Sequence, residues 1–347
     1  MIEHLVFLFA TWAAILGGCW ASSDFPCPPA VQIAPCLCSV NADKMQMDCS
    51  DVDSTEHLKE IFHSSPPFPF THFSKFLMEG NQNVEKLENG VFNVITFDEI
   101  EVTNGALVEV EQGSIEQSKE VLQKITMYGN QIERFLMNDA QDLTAFTELW
   151  YINLSGNVIQ VFPAITSDKV TYLAVSDNPM TTIHNENLFG VPYLEHIHID
   201  SIRMNILETK LLSNHRHLIT INLSSNNLVQ IQSTALIVQS PTLKEINLSN
   251  NRINDVEPGS FDTNVHGLKV NLDDNNLSTL DELTWKPLAK SEVSLTFNGN
   301  PLGCGCDMKW AVIPDNGEDY ISFMEGTCPE GQSFTDLEPA WYEQFCN

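Results

Sequence analysis

The chain has 347 residues, of which 43% are hydrophobic and 18% are charged, a composition that excludes a disordered or low-complexity protein. Its 46 acidic and 17 basic side chains give a formal net charge of −29, which argues against nucleic acid and anionic membranes as partners. This charge favours cationic partners or diffuse binding of divalent cations, and it equally suits plain solubility at high concentration.

A nearly unbroken apolar run at residues 5–18 opens the chain. Small residues follow at Cys19 and Ala21, the two positions that a signal peptidase inspects, so the sequence predicts a secretory signal at 1–21. A membrane anchor is the alternative, but the run is shorter than the roughly 20 residues that a span requires. Because no later long apolar run and no hydrophobic C-terminal tail occur, we expect a soluble, extracellular product.

Nine cysteines occur, and apart from Cys19 they form two clusters at the ends of the chain: Cys27, Cys36, Cys38 and Cys49, then Cys304, Cys306, Cys328 and Cys346. An even count after an export signal predicts disulfides within two terminal modules. Zinc is the competing interpretation, but exported cysteines oxidise and no histidine completes a tight ligand spacing. The spacing alone leaves three pairings open in each cluster.

One pattern recurs between the clusters, as in Leu218-x-x-Ile221-x-Leu223-x-x-Asn226-x-Leu228. The position of its asparagine recurs in steps of 21 to 27 residues, at Asn81, Gly105, Asn130, Asn157, Asn178, Ile202, Asn226, Asn251, Asn275 and Asn300. This is the period of extracellular leucine-rich repeats. The sequence therefore predicts an α/β leucine-rich-repeat solenoid, with a curved parallel sheet on its concave side and a mostly irregular or short-helical convex side.

The repeat has a simple physical interpretation. Its alternate apolar residues point inward from a short strand, and its asparagine can turn inward to bond backbone groups left open at the bend. Gly105 and Ile202 lack the amide, so we expect local irregularity there. Residues such as Phe92, Phe261 and Trp285 supply a second apolar position that should pack the convex side.

Both ends of a solenoid expose apolar surface and need caps, which explains the cysteine clusters. We expect a cysteine-rich N-terminal cap at 22–62, about ten repeats at 63–302 and a cysteine-rich C-terminal cap at 303–347. Both clusters resemble caps of the leucine-rich-repeat superfamily. That resemblance implies that the first cysteine pairs with the third and the second with the fourth, giving Cys27–Cys38, Cys36–Cys49, Cys304–Cys328 and Cys306–Cys346.

Proteins of this kind usually bind partners on the concave sheet. Amphipathic aromatic residues fall there on successive strands, so we predict a partner-binding strip of Tyr128, Tyr151, Tyr172, His196, His198 and Asp200. A solvated sheet surface with ordinary scattered aromatics is the alternative. His196-x-His198-x-Asp200 could also hold a metal, but the pattern is short and open and lacks a fourth ligand, so no metal is predicted.

Four Asn-x-Ser sequons make Asn153, Asn222, Asn247 and Asn276 candidates for glycosylation. The first three lie on predicted strands, where the repeat sequence itself produces the Asn-x-Ser pattern by chance. Sugars at Asn222 and Asn247 would screen the C-terminal half of the concave face.

Signatures of catalysis are missing from the sequence. It contains no Gly-x-Ser-x-Gly elbow, no HExxH and no phosphate-binding glycine loop, and its ten histidines are scattered. We therefore predict a protein that is not an enzyme and that carries no cofactor.

The wording of the N-terminal cap is distinctive: Cys27-Pro28, Ile33-Ala34-Pro35-Cys36-x-Cys38 and Met47-Asp48-Cys49-Ser50. With the repeats and the C-terminal cap, it resembles the crustacean family that includes the non-catalytic subunit of oplophorus-luciferin 2-monooxygenase. The resemblance implies a secreted leucine-rich-repeat subunit without luciferase activity, which accompanies a small catalytic subunit and supplies no active-site residue. The alternative is an extracellular recognition protein in innate defence, adhesion or matrix.

Overall fold

A computed structural model describes residues 27–42, 44–65, 67–136, 141–261, 265–313 and 317–346. The signal predicted at 1–21 lies outside the described residues. No helix within the described ranges is long and apolar enough to cross a membrane.

One sheet of thirteen strands runs the length of the described chain. An antiparallel hairpin begins it, and every later strand pairs in parallel with the one before it. In spatial order the strands are Leu37–Asn41, Lys44–Asp48, His72–Glu79, Thr96–Thr103, Lys124–Thr126, Tyr151–Asn153, Tyr172–Ala174, His196–His198, Thr220–Asn222, Glu245–Asn247, Lys269–Asn271, Ser294–Thr296 and Met324–Glu325. Ten of them, from His72–Glu79 to Ser294–Thr296, precede the ten tracked repeat positions, which confirms the predicted leucine-rich-repeat solenoid.

The repeat asparagines are buried and bond the backbone as predicted. Asn226, for example, accepts from the N–H groups of Ile202 and Met204 at 3.1 and 3.0 Å and donates to the carbonyls of Ile199 and Leu223 at 3.0 Å. One amide thus ties its own turn to the turn of the preceding repeat. The same arrangement holds at Asn157, Asn178, Asn251, Asn275 and Asn300.

The residue before each tracked position has a left-handed backbone conformation. Its φ lies between 53° and 74° at Gly80, Asn104, Gly129, Gly156, Asp177, Ser201, Ser225, Asn250, Asp274 and Gly299. Glycine, asparagine and aspartate tolerate this conformation best, and they fill eight of the ten positions. The left-handed residue turns the chain so that the next side chain points into the core.

The two degenerate repeats keep this turn but lose the amide. Gly105 donates its N–H to Oδ1 of Asn130 at 3.0 Å, while the side chain of Ile202 is completely buried. Arg203, two residues after Ser201, takes a second left-handed conformation, which is the local irregularity expected there. Each repeat is therefore held by its neighbour's asparagine in place of its own.

The segments that follow the turns form short helices, 3-10 turns and two-residue strands. The sequence predicts an irregular or short-helical convex side, so these short strands make that side more regular than expected. The α-helices are Ala30–Ile33, Thr55–Phe62, Asn185–Leu188, Glu282–Lys290, Lys309–Val312 and Pro339–Phe345. The 3-10 turns are Gln112–Ser114, Glu116–Ser118, Cys306–Met308, Ile321–Phe323, Pro329–Gly331 and Phe334–Asp336. The short parallel strands are Lys86–Leu87, Glu109–Val110 and Arg134–Phe135, then Gln141–Asp142 and Ile165–Thr166, then Gln230–Ile231 and Asp255–Val256.

Apolar side chains from the sheet and from these segments meet in one core. Phe92, Phe261 and Trp285 are buried, as the repeat pattern predicts. The first two repeats hold a cluster of phenylalanines, in which Phe76 lies 4.8 Å from Phe92 and 5.5 Å from Phe97 between ring centroids. Such pairs add to the stabilisation from buried area alone.

Disulfides close both ends of the solenoid. They join Cys27 to Cys38, Cys36 to Cys49, Cys304 to Cys328 and Cys306 to Cys346, the pairing that the resemblance to the superfamily caps implies. The C-terminal cap is also held by Trp310, whose Nε1 donates to the carbonyl of Leu280 in the ninth repeat at 2.9 Å.

Candidate functional site

The strands at 151–153, 172–174 and 196–198 place four rings on the outer, concave face of the main sheet. Their central residues Ile152, Leu173 and Ile197 are completely buried, so the flanking residues point away from the core. Register then aligns Tyr151, Tyr172 and His196 across the three strands, with His198 two residues further along.

These four residues form a contiguous set, here called the aromatic row. Tyr151 and Tyr172 stack with centroids 4.3 Å apart and planes 16° from parallel. The Tyr172 ring lies 5.1 Å from the ring of His198 and 5.9 Å from that of its register partner His196. The diagonal contact is the shorter one because Ala174, the register partner of His198, fills little space between the strands.

Partial burial sets the protonation of Tyr172 and His198. Burial, with smaller contributions from Tyr151 and Asp200, raises the pKa of Tyr172 to about 12, so its phenol stays neutral at physiological pH. Burial likewise lowers the pKa of His198, and the opposing attraction of Asp200 does not reverse this. At neutral pH both side chains therefore offer neutral hydrogen-bonding groups beside apolar ring surface.

Asp200 follows the row directly and is held in place. One oxygen, Oδ1, accepts from Oγ of Ser176 at 2.5 Å and from Nδ2 of Asn222 at 2.8 Å. Two donors on one oxygen fix the carboxylate beside His198 and leave its second oxygen free of protein partners among the described residues.

Tyr128 stands apart from the row, although the sequence predicts it in the same strip. Its side chain is 42% exposed, and its hydroxyl accepts from Nδ2 of Asn104 at 3.4 Å. Its ring contacts none of the four row residues in the described part of the chain. It therefore extends the surface toward the N-terminal cap without joining the stack.

Trp150 belongs to this surface and was missed by sequence reasoning. Its ring meets Tyr151 edge-to-face at 5.5 Å and is 40% exposed, while Nζ of Lys124 lies 5.4 Å from the ring centroid. Trp150 immediately precedes its strand, outside the positions that flank the inward residues, so the strand pattern does not predict it. The sequence feature that could have predicted this exposed ring is a tryptophan between Leu149 and Tyr151.

The N-terminal part of the concave face carries ion pairs instead of rings. Lys75 meets Glu101 at 2.6 Å and Lys124 meets Glu99 at 3.2 Å, each pair joining neighbouring strands. These charges neutralise one another near the surface, where such pairs contribute little stability.

The predicted sequons differ in their surroundings. Asn153, Asn222 and Asn247 are half-buried on strands, and the Oδ1 of each accepts the backbone N–H two residues on. Asn276 is exposed beside its turn. As for metals, the described residues contain no group of three or more histidine, cysteine, aspartate or glutamate side chains arranged to hold an ion.

Comparison with known proteins agrees with this architecture. The Leucine Rich Repeat family matches residues 242–264. The chain is 27% identical over 329 residues to the Oplophorus-luciferin 2-monooxygenase non-catalytic subunit of Oplophorus gracilirostris, covering 94% of this chain and 89% of that protein. The resemblance stated from the cap and the repeats is thereby confirmed, and it supports a non-catalytic binding role.

Solved structures show the same fold at low identity. A chain from the octameric complex of Latrophilin 3, Unc5D and FLRT2 (LRR) superposes with a TM-score of 0.57 at 17% identity, over 76% of this chain and 81% of that one. A chain of the TLR13–ssRNA13 complex gives 0.58 at 17% identity, over 74% of this chain and 36% of that one. These likenesses establish the solenoid fold alone.

Proposed function

We propose that this protein is a secreted accessory subunit that binds and stabilises a smaller partner protein through its concave face. The observation that carries the proposal is the aromatic row, in which Tyr151 and Tyr172 are stacked before any partner arrives. Rigid amphipathic rings give large contact area at low entropic cost, which is typical of binding hot spots. Tyr128, His196, His198 and Asp200 complete the proposed contact surface.

The nature of the partner follows from the relative. The Oplophorus protein is a non-catalytic subunit, so a protein that matches it over 94% of this chain is a candidate for the same supporting role. By that likeness the partner is a small luciferase-type monooxygenase subunit. Export to an oxidising compartment agrees with the four disulfides.

Purification of the native protein under mild conditions tests the proposal. Mass spectrometry should find a second, smaller protein in the same size-exclusion peak and in stoichiometric amount. Separating the two chains should lower the thermal stability of the smaller one, because a partner that binds only the folded state stabilises it.

Two results would refute the proposed accessory role. One is a lone monomer that stays monomeric at physiological concentration. The other is association with receptors, matrix proteins or microbial surfaces, which would establish the alternative function of extracellular recognition in defence, adhesion or matrix.

A further inference from the structure

The charge around the aromatic row differs between the two ends of the strands in the main sheet. The strand-end rim comprises the two residues that precede each of the ten tracked turn positions. Its twenty residues include no lysine, arginine or histidine, but they include five acids, Glu79, Asp177, Asp200, Asp273 and Asp274. Near the other end of the strands, the register row of Tyr151 differs, because it holds Lys75, Lys124 and Lys269 among the acids Glu99 and Glu245.

Asp200 is the rim acid that meets the row. Its nearest ring neighbour along the strand is His198, whose pKa is lowered by burial, and it also acts electrostatically on Tyr172. No lysine or arginine within the described residues forms an ion pair with it. Oδ1 is occupied by Ser176 and Asn222, whereas the second oxygen has no hydrogen-bond partner among the described residues and can accept from a ligand.

The stacked arrangement limits what can lie on this surface. The ring of Tyr172 lies between those of Tyr151 and His198, which belong to the strands on either side of it, at centroid distances of 4.3 and 5.1 Å. These distances leave no room for a flat aromatic group between the rings, so a ligand contacts the row at its ring edges. A long aliphatic chain can lie along the edges, and a cationic head group at its end can reach the carboxylate.

From this geometry we propose that the partner docks through a basic segment, with an arginine stem along Tyr172 and His198 and its guanidinium on the free oxygen of Asp200. The proposal rests on the proposed function for the location of the contact. Arginine is favoured over lysine because its planar, forked donors bond a fixed carboxylate with directional hydrogen bonds. The net charge of −29 would speed the approach of such a segment.

Synthetic peptides test the chemistry without the natural partner. Gly-Arg-Leu-Arg-Gly and its lysine and glutamate counterparts, fluorescently labelled, are titrated with the full mature protein at 150 mM salt and followed by anisotropy. We expect the arginine peptide to bind at least fivefold more tightly than the lysine peptide, and the glutamate peptide not to bind.

Two matched variants separate a site from diffuse attraction. Asp200→Asn and Asp273→Asn each remove one negative charge from the same rim and keep an amide oxygen for existing hydrogen bonds. Asp200→Asn should lower the affinity for the arginine peptide at least fivefold, and Asp273→Asn should lower it less than twofold. Equal losses, or no binding by the wild-type protein, would overturn the inference, and unchanged melting temperatures would show that both variants fold.

The outcomes also distinguish this inference from the proposed function. Co-purification of a partner whose binding is unaffected by Asp200→Asn would refute the basic-segment contact and leave the accessory role standing. Specific peptide binding by a protein that purifies without a partner would support the basic-segment contact and refute the accessory role. Binding of a neutral oligosaccharide such as laminarihexaose, lost in Tyr172→Ala and kept in Asp200→Asn, would overturn the choice of a basic protein segment.

Discussion

The rings of Tyr151 and Tyr172 stack across neighbouring strands, 4.3 Å apart and 16° from parallel. Because register aligns these two residues, the sheet itself holds the rings together and little side-chain entropy remains to be lost on binding. The stack is therefore pre-organised for contact with a partner. Its removal should affect binding more than folding.

Tyr172→Ala is expected to weaken binding of the co-purified partner by roughly 30-fold or more, the loss typical of a hot-spot aromatic. Tyr172→Phe keeps the ring and should lose far less. Tyr193→Ala is the matched control, since Tyr193 is 48% exposed and contacts His217 outside the row. Affinities measured by biolayer interferometry decide the matter, and equal effects of Tyr172→Ala and Tyr193→Ala would show that the row is not the contact surface.

The solenoid could be predicted from sequence because each repeat states the same pattern independently. Leu223 and Asn226 indicate strand and turn in one repeat; an apolar residue recurs at the first position in all nine other repeats, and the asparagine recurs in seven of them. Cap pairing required the resemblance to known caps, since spacing left three pairings open. All four residues of the row were predicted, but the surface around it was predicted only in part, because the ring contacts of Trp150 and the separation of Tyr128 depend on side-chain direction.

A close approach of neighbouring atoms explains why Gly105 departs from the repeat pattern. A Cβ atom at Gly105 would lie 2.5 Å from the carbonyl oxygen of Asn81 and 3.0 Å from Oδ1 of Asn130. The backbone passes too close there for any side chain. Restoring the consensus with Gly105→Asn should therefore destabilise the protein, against what the repeat pattern suggests.

We expect Gly105→Asn to lower the free energy of unfolding by about 1–3 kcal/mol, the range for overpacking a filled site. Gly303→Ala is the control, because a Cβ there would come no closer than 3.8 Å to the carbonyl oxygen of Ser278. Urea titration followed by circular dichroism measures both variants. A stabilised Gly105→Asn protein would mean that the missing amide, and not the close approach, dominates at this turn.

His215 should make the fold sensitive to acid. It is 1% exposed, its Nε2 lies 3.1 Å from the carbonyl of Leu188, and burial lowers its pKa despite that carbonyl and the carbonyl of Leu212. A lowered pKa means that the folded state resists protonation. Its stability is complete above the unfolded pKa of about 6.5 and is lost as the pH falls through the lower folded value.

Each unit by which the pKa is lowered removes about 1.4 kcal/mol of stability in acid. His215→Gln keeps a donor for Leu188 but cannot be protonated, so its free energy of unfolding should fall less between pH 7.5 and pH 5. His217→Gln changes an exposed histidine two residues away and serves as the control. Urea unfolding at both pH values gives the comparison, and identical acid losses in wild type and His215→Gln would contradict the role of His215.

Sugar occupancy bears directly on the proposed contact surface. The Asn222 side chain is fully engaged, because Nδ2 donates to Asp200 while Oδ1 accepts from the N–H and Oγ of Ser224. A glycan on Nδ2 would replace one of its hydrogens and cover the carboxylate proposed to bind the partner. Asn276 is exposed, and its side chain has no hydrogen-bond partner among the described residues.

We therefore expect glycan at Asn276 and none at Asn222 in the native protein. Peptide mapping after enzymatic deglycosylation in heavy-oxygen water identifies each occupied site by its mass shift. Asn276→Gln should remove the sugar and leave partner affinity within about twofold, because this residue lies beyond the strand-end rim and the row. Full occupancy at Asn222 would bury Asp200 under carbohydrate, and the partner would then have to bind elsewhere on the solenoid.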